Sequence, residues 1–154
     1  MTKHGITRKW VLTGMMLATL APLGLSAAEP ENVIKYRKNV MKAIGGHTSA
    51  AAAIVQGKVD YKAHLAEHAR ALQALAKDIP ALFPKDSDFG DTNAKDEVWS
   101  KRAEFEKAAS NAKTKVEAFA KAVKGGKQDA IVASFKDMGE GCKGCHKDFR
   151  KEEK

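Results

Sequence analysis

Cys142-Lys143-Gly144-Cys145-His146 ends the last stretch of helical periodicity in the chain, and no other five residues restrict its fold so tightly. Two thiols three apart with a histidine directly after the second are the attachment signature of a c-type haem. On a helix, positions i and i+3 face the same way, so both thiols reach the vinyl groups along one edge of a porphyrin. His146 follows Cys142 by four residues, on the same face, where its imidazole can serve as the proximal ligand. Three other uses of the motif compete. A thioredoxin-like redox pair wants it after a strand in a βαβ unit, and no strand signal precedes it. A zinc site needs further ligands, usually a second Cys/His pair, and the chain has no other cysteine. A disulfide between cysteines so close would close a tiny loop and stabilise little.

Around this motif the apolar residues recur at helical spacing in four segments, and nothing alternates with the period of a strand. The first segment starts after Pro30, a residue suited to a first turn, and carries Val33, Ile34, Val40, Met41, Ile44 and later Val55. Gly45-Gly46 predicts a kink or loosened turn within it. The second reads Tyr61, Leu65, His68, Leu72, Leu75, Ile79, before Pro80 and Pro84 open a long connection containing Gly90. The third runs from Val98 through Phe105 and Phe119 to Val123 and stops at Gly125-Gly126. The fourth reads Ile131, Phe135, Met138, Cys142, Cys145, Phe149, which puts both cysteines on its core-facing seam. The four-three rhythm predicts an all-α antiparallel four-helix bundle, with the haem near the C-terminal helix filling volume that side chains would otherwise occupy.

The N-terminus predicts export. Lys3, Arg8 and Lys9 precede an apolar stretch from Trp10 to about Leu25, Ser26-Ala27-Ala28 offers small residues for cleavage, and no acid appears before Glu29. Thr13, Gly14, Thr19, Pro22 and Gly24 interrupt the stretch, which is short for a membrane span. Residues 1–28 are therefore expected to be a secretory signal peptide and 29–154 one cytochrome domain, with the periplasm as its compartment. Removing 28 of 154 residues leaves 126 and takes the formal net charge from +8 to about +5, because the leader carries three bases and no acid. The remaining basic residues alternate with acids or alanines along helices, which reads as solvated surface rather than a nucleic-acid face.

A haem motif on the last of four helices resembles the class II cytochromes c, whose best-known members are the cytochromes c′. The stretch from Cys142 to Arg150 is similar to the family's final helix, and Ile34-Lys35-Tyr36-Arg37-Lys38-Asn39-Val40-Met41 looks like its first. Leu82-Phe83-Pro84 and Glu97-Val98-Trp99 fit its long loop and third-helix start. The resemblance covers essentially the whole mature chain and implies one covalent haem c. It also implies that Arg37 approaches a haem propionate, with Lys38 following at the haem edge. Arg150 would then stand beside the proximal histidine, and Thr92 and Asn93 where the loop passes the haem.

The same resemblance places Met41, one turn after Arg37, on the distal side of the iron. If its thioether binds, the iron is six-coordinate and the chain is an electron carrier of raised potential. If it only packs there, the iron is five-coordinate and open to a small gas such as nitric oxide or carbon monoxide. The residue type favours ligation, so one-electron transfer with periplasmic or membrane-bound redox partners is the leading expectation and gas binding the alternative. No distal histidine–arginine pair suggests peroxide chemistry, so an enzyme is not expected. Nucleic acid is not an expected partner, and a homodimer stays open. Among other candidate ligands, Met138 sits one turn before Cys142 on the attachment side, His64 and His68 form an i, i+4 helix pair, and His68 is expected to be a hydrogen-bonded core histidine.

Overall fold

The computed structural model describes residues 29–152, so the expected leader lies outside the described residues. Helix α1 (Pro30–Val55) starts on Pro30, whose ring presets the first-turn φ, with Glu31 placed favourably at the positive end of the helix dipole. It passes through Gly45 and Gly46 without interruption, where a kink or loosened turn was expected. Helix α2 (Lys62–Leu75) stops a turn earlier than the apolar rhythm suggests. Ile79 belongs instead to a short 3₁₀ turn, Ile79–Leu82, because Pro80 has no N–H with which to continue an α-helix.

The expected third helix is split. A single turn, α3 (Glu97–Ser100), ends at Lys101, whose backbone leaves helical geometry at φ −117° and ψ 50°. Helix α4 (Arg102–Gly125) follows and ends on Gly126 at φ 72°, a left-handed position that glycine occupies without steric cost. Helix α5 (Gln128–Phe149) then carries the haem motif. The chain is all-α, a bundle of four long helices, and the one extended contact among the described residues is an isolated bridge between Ala94 and Arg150.

Two apolar clusters fill the bundle. One, built on Leu72, Phe119, Met138, Ile54 and Leu65, joins all four long helices. The other gathers Phe83, Val98, Phe105 and Phe149 at the end where α1 begins and α5 ends. There the rings meet edge to face, Trp99 to Phe83 at 6.1 Å, Phe83 to Phe105 at 4.9 Å and Phe105 to Phe149 at 5.3 Å. Such pairs add stabilisation beyond the area they bury.

The helices do not pack evenly. α4 lies closely along α5, helped by Gly141, where an added Cβ would fall 2.8 Å from Lys115 Cδ and 3.3 Å from Ala112 Cα. α1 packs on α2 and α2 on α4, while α1 and α5 touch only sparsely. Between them, from Val55 at the end of α1 along Val132, Phe135 and Gly139 of α5, runs an open groove of about 410 Å³. None of the described helices is long and apolar enough to cross a membrane.

A candidate haem site between the first and last helices

Cys142 and Cys145 are both free and half-buried on α5, one turn apart. They face different clusters. Cys142 packs against the Phe119–Met138 core, and Cys145 against the Phe83–Phe105 core. Burial raises the Cys142 thiol. Burial, then the neighbouring Cys142 and Asp148, pushes Cys145 up to about 11. Among the described residues no group of three or more ligating side chains forms a metal site.

His146 lies on the exposed side of α5 rather than facing the core with Cys142. Enough protein surrounds its ring that desolvation, and then the Arg150 charge, hold its pKa below the ordinary value. The neutral imidazole this favours is the form that ligates a metal. One turn further on, the chain is pinned. Lys95 N donates to Phe149 O at 3.0 Å, Lys151 N to Asn93 O at 2.8 Å, and Lys95 Nζ to Lys147 O at 2.9 Å. Asn93 thus contributes its carbonyl to a strap over the end of α5, while Arg150 is exposed beside it.

Met41 is half-buried on α1 and packs against the same apolar cluster as Cys145. The sparsely packed α1–α5 boundary therefore has a thioether on one wall and the attachment thiols on the other.

Arg37, one turn before Met41, is only 3% exposed. Its Nη1 donates to Ser87 Oγ at 3.0 Å and Leu82 O at 3.3 Å, and its Nη2 to Thr92 Oγ1 at 2.7 Å and Ser87 O at 3.0 Å. The guanidinium lies over the Phe83 ring at 4.6 Å and the Trp99 ring at 5.7 Å. No carboxylate pairs with it among the described residues, and desolvation lowers its pKa. Thr92 passes the link onward, since Ala94 N donates to the same Oγ1 at 3.1 Å, and Ala94 bridges to Arg150. Lys38 turns outward to Asp91, with Nζ 2.6 Å from Oδ2. That ion pair is solvent-exposed and contributes little to stability.

The sequence pointed to Arg37 and Thr92 separately but not to Ser87, which completes the cradle, nor to Arg102. Arg102 holds the same loop from the α4 side, donating to Phe83 O at 2.9 Å and Pro80 O at 3.0 Å. Neither contact has a local signal, because donor and acceptor lie many residues apart.

These residues fit a covalent haem. Two free thiols one turn apart can each add to a haem vinyl group to form thioethers, an adjacent imidazole can ligate, and the α1–α5 boundary is left loosely packed beside them. A buried cation without a carboxylate is a site that a haem propionate would neutralise.

Comparison with known proteins agrees. The cytochrome c′ family model matches residues 32–150. The cytochrome c′ of Pararhodospirillum photometricum is 38% identical over 124 residues, covering 80% of this chain and 99% of that one. Among solved structures, a nitric oxide complex of a leucine-to-alanine variant of the Alcaligenes xylosoxidans cytochrome c′ superposes with a TM-score of 0.76 at 27% identity, covering 82% of this chain and 99% of that one. A carbon monoxide-bound leucine-to-glycine variant of the same protein gives 0.75 at 28%, covering 81% and 98%.

Proposed function

The chain belongs to the cytochrome c′ family and carries covalent haem c, and from that premise we propose that it is a periplasmic haem protein whose iron binds a small gas on the side of Met41. The observation that carries this reading is the likeness to solved nitric oxide and carbon monoxide complexes of the family, which cover 82% and 81% of this chain. Met41 is half-buried against the apolar cluster that also packs Cys145, which sets a bulky side chain on the α1 wall of the α1–α5 boundary. Ligation of the iron by Met41, the leading expectation from residue type, has no comparable support.

When bound, haem would supply an iron able to take a diatomic ligand. The rest is the work of side chains. Cys142 and Cys145 hold the group to α5, and neutral His146 offers its ring nitrogen on the exposed side. Arg37 offers its buried charge to a propionate while keeping the loop closed. Met41 crowds the opposite face and excludes larger molecules.

Carbon monoxide titration of Met41→Ala against the unmodified protein tests the assignment. If Met41 only packs, the unmodified ferrous protein takes up the gas, and removing the side chain tightens binding about tenfold or more, roughly 1.4 kcal/mol of relieved crowding. Gas uptake that appears only after Met41 is replaced would make Met41 a ligand and the chain an electron carrier.

A further inference from the structure

Two histidines meet across the α1–α2 interface, outside the haem motif and the Arg37 clasp. His47 leaves α1, His68 leaves α2, and their Nδ1 atoms are 3.0 Å apart. The ring centroids are 5.3 Å apart and the planes are inclined at 57°. For five-membered rings in contact through nitrogens 3.0 Å apart, that centroid separation is about the longest available, so the two nitrogens point head-on at one another. Head-on approach is the geometry of an N–H···N hydrogen bond, one ring donating and the other accepting. A metal ion held by both rings would need their lone pairs to converge beside the N···N line, which would draw the centroids closer together.

We propose that His47 and His68 share one proton across the α1–α2 interface and act as an acid-sensitive latch on the helix that carries Met41. The proton count sets the behaviour. In the neutral pair one Nδ1 carries a proton and the other accepts it. A first added proton goes to an outward Nε2 and leaves the bond in place, now charge-assisted and stronger. A second must go to the accepting Nδ1. It destroys the bond and sets two imidazolium rings against each other, so the pair tolerates one positive charge and opens on the second.

The surroundings mark His68 as the acceptor. Desolvation first, then the charges of His47 and His64, lower its pKa, with Glu67 pulling the other way. His64 itself stacks on Tyr61 at 5.6 Å and does not join the pair. Among the described residues, no hydrogen bond or ion pair from α4 or α5 reaches either ring. A histidine with a lowered folded pKa binds fewer protons than the unfolded chain once the pH drops below the ordinary histidine value of about 6.5. The latch therefore holds above that pH, survives the first proton, and is lost as the pH falls through the folded pKa of His68. The N-terminal part of α1 stays clasped through Arg37, so acid loosens the part beyond Met41.

Nitrogen-15 NMR of histidine-labelled holoprotein, titrated from about pH 8 to pH 4, tests the latch. A scalar coupling between the two Nδ1 nuclei is expected at neutral pH, persisting through the first proton and vanishing with the second. The pair should show two apparent pKa values more than about one unit apart. His68→Leu should remove the coupling and leave a single protonation event at the pair, whereas His64→Gln should leave the coupling intact. Independent titration of His47 and His68 without coupling, or loss of the coupling in His64→Gln, would overturn the proposal. If His68→Leu does not fold, the coupling and splitting in the unmodified protein decide alone. The readout follows histidine nitrogens, so it fails or succeeds independently of gas binding.

Discussion

A variant carrying both Cys142→Ala and Cys145→Ala is expected to lose its haem completely to acid–acetone extraction, whereas the unmodified protein retains all of it. The two thiols are half-buried on one side of α5, and no other cysteine exists to form a thioether. Each single variant keeps one covalent bond and should still resist extraction, because one thioether suffices to tether the group. Mass measurement of the intact protein after extraction separates the three cases. Haem released from the unmodified protein would mean that the thiols serve some other purpose.

The second large effect concerns Arg37. Arg37→Leu should cost about 3 kcal/mol of folding stability, because it takes the buried donor from Leu82 O, Ser87 O and Ser87 Oγ and leaves Thr92 Oγ1 with Ala94 N alone. It should also free the loop around Ser87 and Thr92 for proteolysis, since on the α1 side only the exposed Lys38–Asp91 pair would then hold it. Arg37→Lys should recover little, because an ammonium cannot reproduce the fork or lie flat against Phe83 and Trp99. Urea unfolding reads the first effect and limited digestion the second. A stability change below about 0.5 kcal/mol would show that the clasp is dispensable.

Periodicity made the four long helices legible, and with them the placement of both cysteines on the seam of the last. It failed where the rhythm outlasts the helix. Ile79 continues the spacing of α2, yet the helix has already ended at Leu75, ahead of the 3₁₀ turn that contains Pro80. The break at Lys101 falls inside an unbroken apolar pattern, because the loop contacts that turn the chain there are tertiary. The site divides in the same way. Cys142, Cys145 and His146 belong to a contiguous motif, and Arg37 and Met41 to one helical face. The Arg37–Ser87 and His47–His68 contacts join residues 50 and 21 positions apart and leave no pattern in the chain. The exposure of His146 was hidden as well, since helical spacing alone placed it with Cys142.

The account rests most heavily on the state of the face opposite His146, and one measurement reaches it directly. Absorption and electron paramagnetic resonance spectra of the purified ferric and ferrous protein report coordination number and spin state. With Met41 packed among apolar neighbours, both oxidation states should be high-spin and five-coordinate, and the ferrous spectrum should change at once on adding carbon monoxide. A low-spin, six-coordinate spectrum that carbon monoxide leaves unaltered would contradict the account and place the Met41 thioether on the iron.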